Sequence, residues 1–238
     1  MVYVAREPEI VDLWSLLNNM GSLFRGAGTN EIRVQGVDSL KSMNVHTIIP
    51  DRIEAGTYLS FAAANGNGVL VKNVITEHLD PFLSKLEEMG VRMEIDEDEI
   101  YVPGGDVLSP VNIITSPFPG FATDLQQPIT PLLMQARGSS TIIDTLYPER
   151  TKHIPEMQRM GAKISSKDGI ITVGHSTDLS GTVVEAGEIR AGVSLVGLAL
   201  MAEGTTVINK ADNILRGYDR IVEKFRGLSV DLEVINES

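Results

Sequence analysis

Apolar residues recur along the chain with the period of an α-helix, and they do so in four segments at nearly equal intervals. Each segment places its main side chains at positions i, i+3, i+4, i+7 and i+10, which predicts a helix with one apolar stripe. The four stripes begin at Ile10, Leu79, Arg150 and Tyr218. Consecutive starts are therefore 69, 71 and 68 residues apart, and the pattern indicates an internal repeat of about seventy residues.

A second set of helices is predicted between the stripes, and these are rich in small and apolar residues on most sides. Short β-rich segments follow them, and hairpin-like patterns follow the striped helices. The predicted buried helices run from Arg52 to Ala64, from Asp124 to Ala136 and from Arg190 to Ala202. The predicted hairpins are Arg92–Val102 and Lys163–Val173. Each unit is therefore βαβαββ, which predicts the α/β class.

The repeats do not divide the chain evenly. Residues 1 to about 45 hold only the second half of a unit, and the last unit stops after one predicted strand, Asp231–Ile235. A strand left unpaired at an edge exposes backbone groups that tend to bind another strand. We therefore expect the chain to be part of a longer protein, or to take a strand and a half-domain from another chain.

Charge and composition exclude several classes of function. With 20 Lys+Arg against 32 Asp+Glu, the formal net charge is −12, which argues against nucleic-acid or anionic-membrane binding because both need a basic face. The absence of cysteine excludes a disulfide framework and a cysteine nucleophile within the chain. The histidines lack metal-ligand spacing. Because neither a membrane-spanning run nor a signal peptide is recognisable, we expect a cytoplasmic protein.

Charged residues stand at the predicted first position of all three buried helices. These residues are Arg52, Asp124 and Arg190. A charge at the end of a buried helix is unfavourable unless it is paired or meets a ligand. Helix capping and salt bridges between units are one explanation, and Thr123-Asp124 resembles a cap. If the units pack around a three-fold-like axis, the equivalent helix ends would instead meet at one opening.

An arginine also replaces the apolar residue that begins the other stripes. Arg150 occupies this position, although a cation at a helix start opposes the helix dipole. From the residues alone, a surface arginine covering apolar groups and an arginine that binds an anion are equally acceptable. Arg216, just ahead of the last stripe, adds a further cation. Together with Arg190, these arginines would face an anion beside Asp124, a carboxylate able to act as general base on a bound hydroxyl.

Nine short motifs, in order along the chain, form a more specific pattern. They are Ala5-Arg-Glu-Pro-Glu-Ile-Val-Asp-Leu, Gly26-Ala-Gly-Thr-Asn, Ile49-Pro-Asp-Arg-Ile-Glu-Ala-Gly-Thr, Leu86-Glu-Glu-Met-Gly-Val, Ala122-Thr-Asp-Leu-Gln, Tyr147-Pro-Glu-Arg, Ile189-Arg-Ala-Gly, Ala202-Glu-Gly-Thr-Thr and Leu215-Arg-Gly-Tyr. Taken together, they resemble the UDP-N-acetylglucosamine 1-carboxyvinyltransferase family, the enolpyruvyl transferases of bacterial peptidoglycan synthesis. The resemblance extends from about residue 4 to the C-terminus.

The resemblance implies a fold and a domain organisation. Members of the family have two domains, each an inside-out α/β barrel of three βαβαββ repeats, with the active site in the cleft between them. Residues 1–48 would be the C-terminal remnant of the first domain, a half-repeat. Residues 49–238 would be the second domain, lacking its N-terminal strand. The missing first domain is expected in the full-length protein, which is expected to be monomeric.

The resemblance also implies an activity. The family transfers the enolpyruvyl group of phosphoenolpyruvate to the 3-hydroxyl of UDP-N-acetylglucosamine and releases phosphate, the first committed step of peptidoglycan synthesis. Both substrates are small molecules, and neither a cofactor nor a metal is implied. By motif, Asp124 matches the proposed general base and a contact to the sugar nucleotide, and Leu146 matches a backbone contact to the same substrate. The arginines that match those holding phosphoenolpyruvate are Arg150, Arg190 and Arg216.

The chain departs from the family pattern at several points. The loop that usually carries a proton-donating cysteine and the N-terminal Lys-Asn pair have no counterpart in this sequence, so the chain by itself is expected to be inactive. Glu188 stands where the family has aspartate, and Pro128 and Pro131 interrupt a helix expected to be regular.

Two other functions remain open. The shikimate-3-phosphate enolpyruvyl transferase shares the architecture, although the Ala122-Thr-Asp-Leu-Gln and Leu215-Arg-Gly-Tyr motifs favour the UDP-sugar enzyme. A non-catalytic binding module of the same fold is the alternative from another class. The retained aspartate and arginines argue against such a module, because a scaffold has no need of them.

Overall fold

The computed structural model of the chain describes residues 4–42 and 45–235. Residues 1–3, 43–44 and 236–238, which the predicted domain ranges include, lie outside the described residues. The α-helices are α1 (Pro8–Asn19), α2 (Arg52–Asn65), α3 (Asp80–Met89), α4 (Gln126–Leu133), α5 (His153–Arg159), α6 (Ile189–Ala199), α7 (Asp212–Leu215) and α8 (Ile221–Gly227). The strands are β1 (Leu23–Arg25), β2 (Arg33–Gln35), β3 (Val69–Lys72), β4 (Glu94–Ile95), β5 (Glu99–Val102), β6 (Asn112–Thr115), β7 (Ser139–Asp144), β8 (Ile164–Lys167), β9 (Ile170–Gly174), β10 (Val183–Glu185) and β11 (Val207–Asn209).

The most complete sheet shows how one repeat is arranged. Its strand order is β6-β7-β9-β8, with β6 and β7 parallel and the other two pairs antiparallel. Ile142 of β7 stands between Ile113 and Ile171 in the ladder, and all three are buried. The β8–β9 hairpin turns at Asp168 and Gly169, both with positive φ, so the predicted hairpin and its turn are confirmed.

The other repeats have fewer paired strands. β3, β5 and β4 form an antiparallel sheet, β10 and β11 form a parallel pair, and β1 and β2 form a hairpin beside α1. The predicted strand Asp231–Ile235 is wrong, because this segment pairs with no strand among the described residues. A β-strand needs the backbone groups of a neighbour, and in the described chain β11 pairs only with β10.

Helix boundaries follow local chemistry. Gly21, Gly90 and Gly161 come just after helices with an apolar stripe, and their φ values are 95°, 89° and 93°. This left-handed conformation is readily adopted by glycine and commonly ends helices. At the other end of a helix, the Asp51 carboxylate caps α2 by accepting the N–H groups of Ile53 and Glu54 at 2.8 and 3.0 Å.

Two prolines shorten the middle buried helix. The sequence predicts a helix from Asp124 to Ala136, but the structure has a 3₁₀ turn at Thr123–Leu125 followed by α4, which ends at Leu133. Pro128 and Pro131 lack the N–H group that an α-helix requires in its interior. The tight first turn places Asp124 outside the regular helix, where its carboxylate can face other elements.

The buried helices approach each other closely at glycines. A Cβ atom at Gly197 of α6 would overlap the ring of Phe61 in α2, and one at Gly56 of α2 would lie 2.7 Å from Leu125, just ahead of α4. Phe61 is 4% exposed and Leu125 is 1% exposed, so neither side chain can turn away into solvent. Glycine at these positions therefore sets how closely α2, α4 and α6 pack.

Replacing one of these glycines tests the packing. Gly197→Ala is expected to lower the free energy of unfolding by about 1–3 kcal/mol, because the added methyl group overpacks the core against Phe61. Gly227→Ala in α8 is the matched control, since a Cβ there meets nothing within 4 Å among the residues that the structure describes. It should raise the stability by up to about 1 kcal/mol. Urea unfolding measures both, and equal stabilities for the two variants would contradict the packing.

Candidate active site

Asp124 forms ion pairs with two arginines that come from distant parts of the sequence. Its Oδ1 accepts from Nη1 of Arg150 at 2.7 Å, and its Oδ2 accepts from Nε and Nη2 of Arg190, both at 3.3 Å. Asp124 lies in the 3₁₀ turn ahead of α4, Arg150 in the turn ahead of α5, and Arg190 in the first turn of α6. The structure thus brings together three of the predicted residues, which we call the ion-pair cluster.

Arg150 is held by a turn whose shape depends on a buried carboxylate. Its guanidinium lies over the ring of Tyr147, 4.7 Å from the centroid, and donates to the Thr123 hydroxyl at 3.1 Å. Asp144, at the end of β7, is 4% exposed and accepts from the N–H groups of Leu146 and Tyr147 and from the Thr123 hydroxyl. Sequence reasoning missed Asp144. The sequence feature that could have identified it is a carboxylate at the end of an apolar strand.

Arg190 lies over an aromatic ring and keeps one donor without a partner. Its guanidinium carbon is 5.4 Å from the centroid of Tyr218, whose hydroxyl is 3.0 Å from that of Thr57. The guanidinium also interacts with the Tyr218 hydroxyl, but its buried Nη1 has no hydrogen bond of good geometry among the described residues. A buried donor left unpaired is unfavourable, so this N–H group is well suited to an anionic oxygen of a ligand.

Arg216 and Leu146 lie nearby but outside the cluster. Arg216 follows α7 and is exposed, and it forms no ion pair within the described chain. Gly217, the next residue, lies so close to Ile189 that a Cβ would overlap it, which places the Arg216 backbone near the start of α6. Leu146 is 38% exposed. Because Asp144 accepts the N–H of Leu146, the Leu146 carbonyl is the backbone group left to contact a ligand.

Arg52 does not join the other two helix starts. It pairs with Glu9 of α1 at 3.1 Å and lies over the ring of Phe118, 5.6 Å from the centroid. The salt-bridge explanation therefore applies to Arg52, and of the three charged side chains only Asp124 and Arg190 meet. The start of α2 still lies near them, because its cap Asp51 acts electrostatically on Arg190. The prediction that Thr123-Asp124 caps a helix is also wrong, because no side chain of the described residues forms a capping hydrogen bond at that turn.

Burial and the ion-pair cluster together shift the pKa values of Asp124 and of a neighbouring histidine. Burial alone would raise the pKa of Asp124, but Arg150 and Arg190 outweigh it and lower that pKa below its usual range. Burial, aided by the charge of Arg150, lowers the pKa of His153 to about 4. At neutral pH, Asp124 is therefore ionised and His153 is neutral. The His153 side chain is 0% exposed, and its Nδ1 lies 3.1 Å from Nε2 of Gln127.

The described part of the chain offers neither a metal cluster nor a membrane helix. Within residues 4–42 and 45–235, no group of three or more histidine, aspartate or glutamate side chains could hold a metal ion. The helices of the same residues are too short or too polar to cross a membrane.

The chain matches a known family over most of its length. Residues 1–225 match the family model described as EPSP synthase (3-phosphoshikimate 1-carboxyvinyltransferase). The chain belongs to the EPSP synthase family of enolpyruvyl transferases. This agrees with the resemblance that the ordered motifs indicate.

Two curated relatives match this chain with nearly the same sequence identity. UDP-N-acetylglucosamine 1-carboxyvinyltransferase 2 of Lactiplantibacillus plantarum is 57% identical over 230 residues, which cover 97% of the chain and 54% of that protein. UDP-N-acetylglucosamine 1-carboxyvinyltransferase of Lactobacillus johnsonii is 56% identical over 234 residues, 98% of the chain and 55% of that protein. The chain thus spans about half the length of the curated relatives it matches, a C-terminal portion of them.

Solved structures support the fold. The enolpyruvyl transferase NikO from Streptomyces tendae superposes with a TM-score of 0.87 at 24% identity, over 97% of this chain and 55% of that one. EPSP synthase from Acinetobacter baumannii superposes with a TM-score of 0.61 at 18% identity, over 90% of this chain and 52% of that one. At these identities the likeness shows the fold, and the predicted α/β enolpyruvyl transferase fold is confirmed.

The buried neutral His153 should make stability depend on pH between about 4 and about 6.5. An unfolded histidine has a pKa of about 6.5, so in this window the unfolded chain binds a proton that the folded protein does not. The contribution is complete above about 6.5, and stability is lost as the pH falls, by up to about 1.4 kcal/mol per pH unit. Urea unfolding of the wild type and His153→Gln, compared across the window, should show a shallower slope for the variant.

Equal slopes in the two proteins would contradict a neutral buried His153. The comparison also isolates this residue from His78, whose pKa is lowered by burial and by Arg52 and which both proteins retain. If His153→Gln does not fold, ¹⁵N NMR of the wild type decides the matter. The imidazole of His153 should remain neutral at about pH 5, and a protonated ring there would refute the assignment.

Proposed function

We propose that the chain carries the part of an enolpyruvyl transferase active site that binds phosphoenolpyruvate and activates the 3-hydroxyl of UDP-N-acetylglucosamine. The observation that supports this most is the ion-pair cluster, in which Asp124 lies between two arginines at the starts of neighbouring elements. The names of the curated relatives describe the same transfer. Under this proposal the protein acts in the cytoplasm, at the first committed step of peptidoglycan synthesis, without a cofactor.

The arginines are assigned to phosphoenolpyruvate. A guanidinium presents two parallel N–H groups that match a carboxylate or a phosphate, and its charge persists when it is buried. Arg150 and Arg190 are 19% and 18% exposed at their side chains, so each can reach a ligand while most of the guanidinium is shielded from water. Arg216 is the exposed third cation, able to turn toward an anion bound next to α6.

Asp124 is assigned as the general base, and its ion pairs suggest when it becomes one. In the free protein, the two arginines stabilise the carboxylate and so lower its affinity for a proton. Anionic phosphoenolpyruvate competes for the same N–H donors. As the arginines turn to the substrate, the pKa of Asp124 rises and the carboxylate can accept the proton of the sugar hydroxyl.

The remaining steps conserve atoms and charge. The deprotonated sugar oxygen adds to C2 of phosphoenolpyruvate while C3 gains a proton, which gives a tetrahedral intermediate. Loss of phosphate from C2 and of a proton from C3 restores the double bond and leaves the enolpyruvyl ether. The Leu146 carbonyl is assigned to the UDP-sugar, since it is a backbone group of the turn that carries Arg150 and accepts no hydrogen bond within the described residues.

The proposed domain division assigns residues 1–48 to the remnant of a first domain and residues 49–238 to the second domain. The stacking of Trp14 on Phe24, with centroids 5.9 Å apart, supports it because these rings pack α1 on its own hairpin. Since the chain spans about half of its relatives, the reaction is assigned to the chain together with a portion equivalent to the rest of them.

Shikimate 3-phosphate is the alternative acceptor. The description of the matching family model favours it, whereas relatives 53–57% identical to the chain are named for UDP-N-acetylglucosamine. The two acceptors can be compared by KM in an enzyme that joins the N-terminal portion of the Lactiplantibacillus plantarum relative to this chain, here called the joined enzyme. A lower KM for shikimate 3-phosphate would overturn the choice of acceptor. The intact ion-pair cluster argues against a non-catalytic module.

The joined enzyme also tests where the activity resides. The 238-residue chain is expected to release no phosphate from phosphoenolpyruvate and UDP-N-acetylglucosamine, because the remaining cleft residues belong to the other portion. The joined enzyme should release phosphate in proportion to the sugar nucleotide consumed. Turnover by the chain alone would contradict this assignment, and an inactive but folded joined enzyme would contradict the proposed function.

The role of Asp124 as general base can be tested separately from any role in binding the sugar nucleotide. In the joined enzyme, Asp124→Asn should lower kcat by about 10²–10⁴-fold, because the amide cannot accept the hydroxyl proton. Calorimetric affinity for UDP-N-acetylglucosamine should change little. Asp106→Asn is the matched control, since Asp106 pairs with Arg92 away from the cluster and should retain the wild-type kcat. An unchanged kcat in Asp124→Asn would refute the base assignment.

A further inference from the structure

A second group of hydrogen-bonded side chains lies directly beside the ion-pair cluster. Nε2 of Gln127 donates to Oε1 of Glu188 at 2.9 Å and lies 3.1 Å from Nδ1 of His153. Each of these three residues is two or three positions along the chain from one member of the cluster. The segments at the starts of α4, α5 and α6 are therefore linked twice. The ion pairs of Asp124 form one link, and the hydrogen bonds of the Gln127 amide form the other.

The chemistry of the three groups determines the direction of each hydrogen bond. An ionised carboxylate only accepts hydrogen bonds, so the NH₂ group of Gln127 must face Glu188. The same NH₂ group then faces Nδ1 of His153, which accepts its second N–H. The neutral imidazole accordingly carries its proton on Nε2. If the ring were protonated, the N–H at Nδ1 would point at the NH₂ group of Gln127, and two donors would face each other. The lowered pKa of His153 agrees with a neutral ring.

Burial indicates that this amide serves more than packing. Gln127 and His153 are both 0% exposed, where an apolar side chain of similar size would avoid the unfavourable burial of polar atoms. In the described chain, nine buried side-chain polar atoms lack a partner, and five of them lie on Gln126, Gln127, His153 and Arg190. Buried polar atoms without a partner are thus concentrated at the end of the buried helices where the candidate site lies.

We propose that Gln127 is a positioning residue of the transferase. By joining Glu188 to His153, it holds the starts of α5 and α6 at a set separation and so determines the spacing between the guanidinium groups of Arg150 and Arg190. The inference rests on the proposed function of the cluster and adds to it a residue that touches no substrate. It also gives Glu188 a role, because its side chain, one methylene longer than the expected aspartate, reaches the buried amide.

Kinetics of the joined enzyme test the proposal. Gln127→Leu keeps the size of the side chain and removes both hydrogen bonds. KM for phosphoenolpyruvate should rise about 10–100-fold, because small displacements of binding groups have effects of that order. KM for UDP-N-acetylglucosamine should stay within about twofold. A merely structural defect would lower the fraction of active enzyme and leave both KM values unchanged.

Gln135→Leu is the matched control. Its amide lies just beyond the other end of α4 and donates to Sδ of Met201 at 3.0 Å. The proposal is overturned if Gln127→Leu and Gln135→Leu show the same KM for phosphoenolpyruvate. If Gln127→Leu does not fold, Glu188→Ala removes one acceptor of the same amide and should raise the same KM. An inactive wild-type joined enzyme would contradict the proposed function, whereas an active one without these effects would contradict only the role of Gln127.

The tautomer of His153 provides a readout that does not depend on activity. In the 238-residue chain, ¹⁵N NMR at about pH 7 should show His153 neutral with its proton on Nε2. Gln127→Leu should introduce a population with the proton on Nδ1, because nothing then donates to that nitrogen. A wild-type ring protonated on Nδ1, or an unchanged spectrum in the variant, would overturn the hydrogen-bond arrangement on which the proposal depends.

Discussion

The pairing of Asp124 with Arg150 and Arg190 is the interaction on which this end of the molecule depends. Both arginine side chains are less than one-fifth exposed, and arginine cannot lose its charge to escape burial. Each must therefore meet a carboxylate or an anionic ligand. In the free protein the carboxylate is Asp124, and the rings of Tyr147 and Tyr218 stabilise the cations from the other side.

These charges can meet only because the helices behind them pack closely. Glycines at the contacts of α2, α4 and α6 bring the helix axes together, and the 3₁₀ turn directs Asp124 out of the regular helix. Asp144 then shapes the turn that carries Arg150. The geometry of the site is thus a result of core packing and buried hydrogen bonds. The Gln127 amide adds further buried hydrogen bonds beside the ion-pair cluster.

Where the structure departs from the sequence predictions, or decides between alternatives that the sequence left open, the reasons are physical ones that local patterns do not contain. The alternating residues of Asp231–Ile235 suit a strand, but a strand forms only beside a partner, and no described strand pairs with this segment. Arg52 is equivalent to Arg190 in the repeat, yet it pairs with Glu9 of α1. Equivalent positions in a repeat share a fold, but their partners depend on which neighbour happens to lie within reach.

The sequence by itself determined the α/β class, most helices and the β8–β9 hairpin, because periodicity and turn residues act over short distances. Its ordered motifs also determined the family. Only the tertiary structure decided that Arg150 and Arg190 form ion pairs with Asp124 while Arg216 stays exposed. It also decided that His153 is buried against Gln127. Such contacts join residues far apart in the chain, and their strength depends on burial and distance, which no local pattern records.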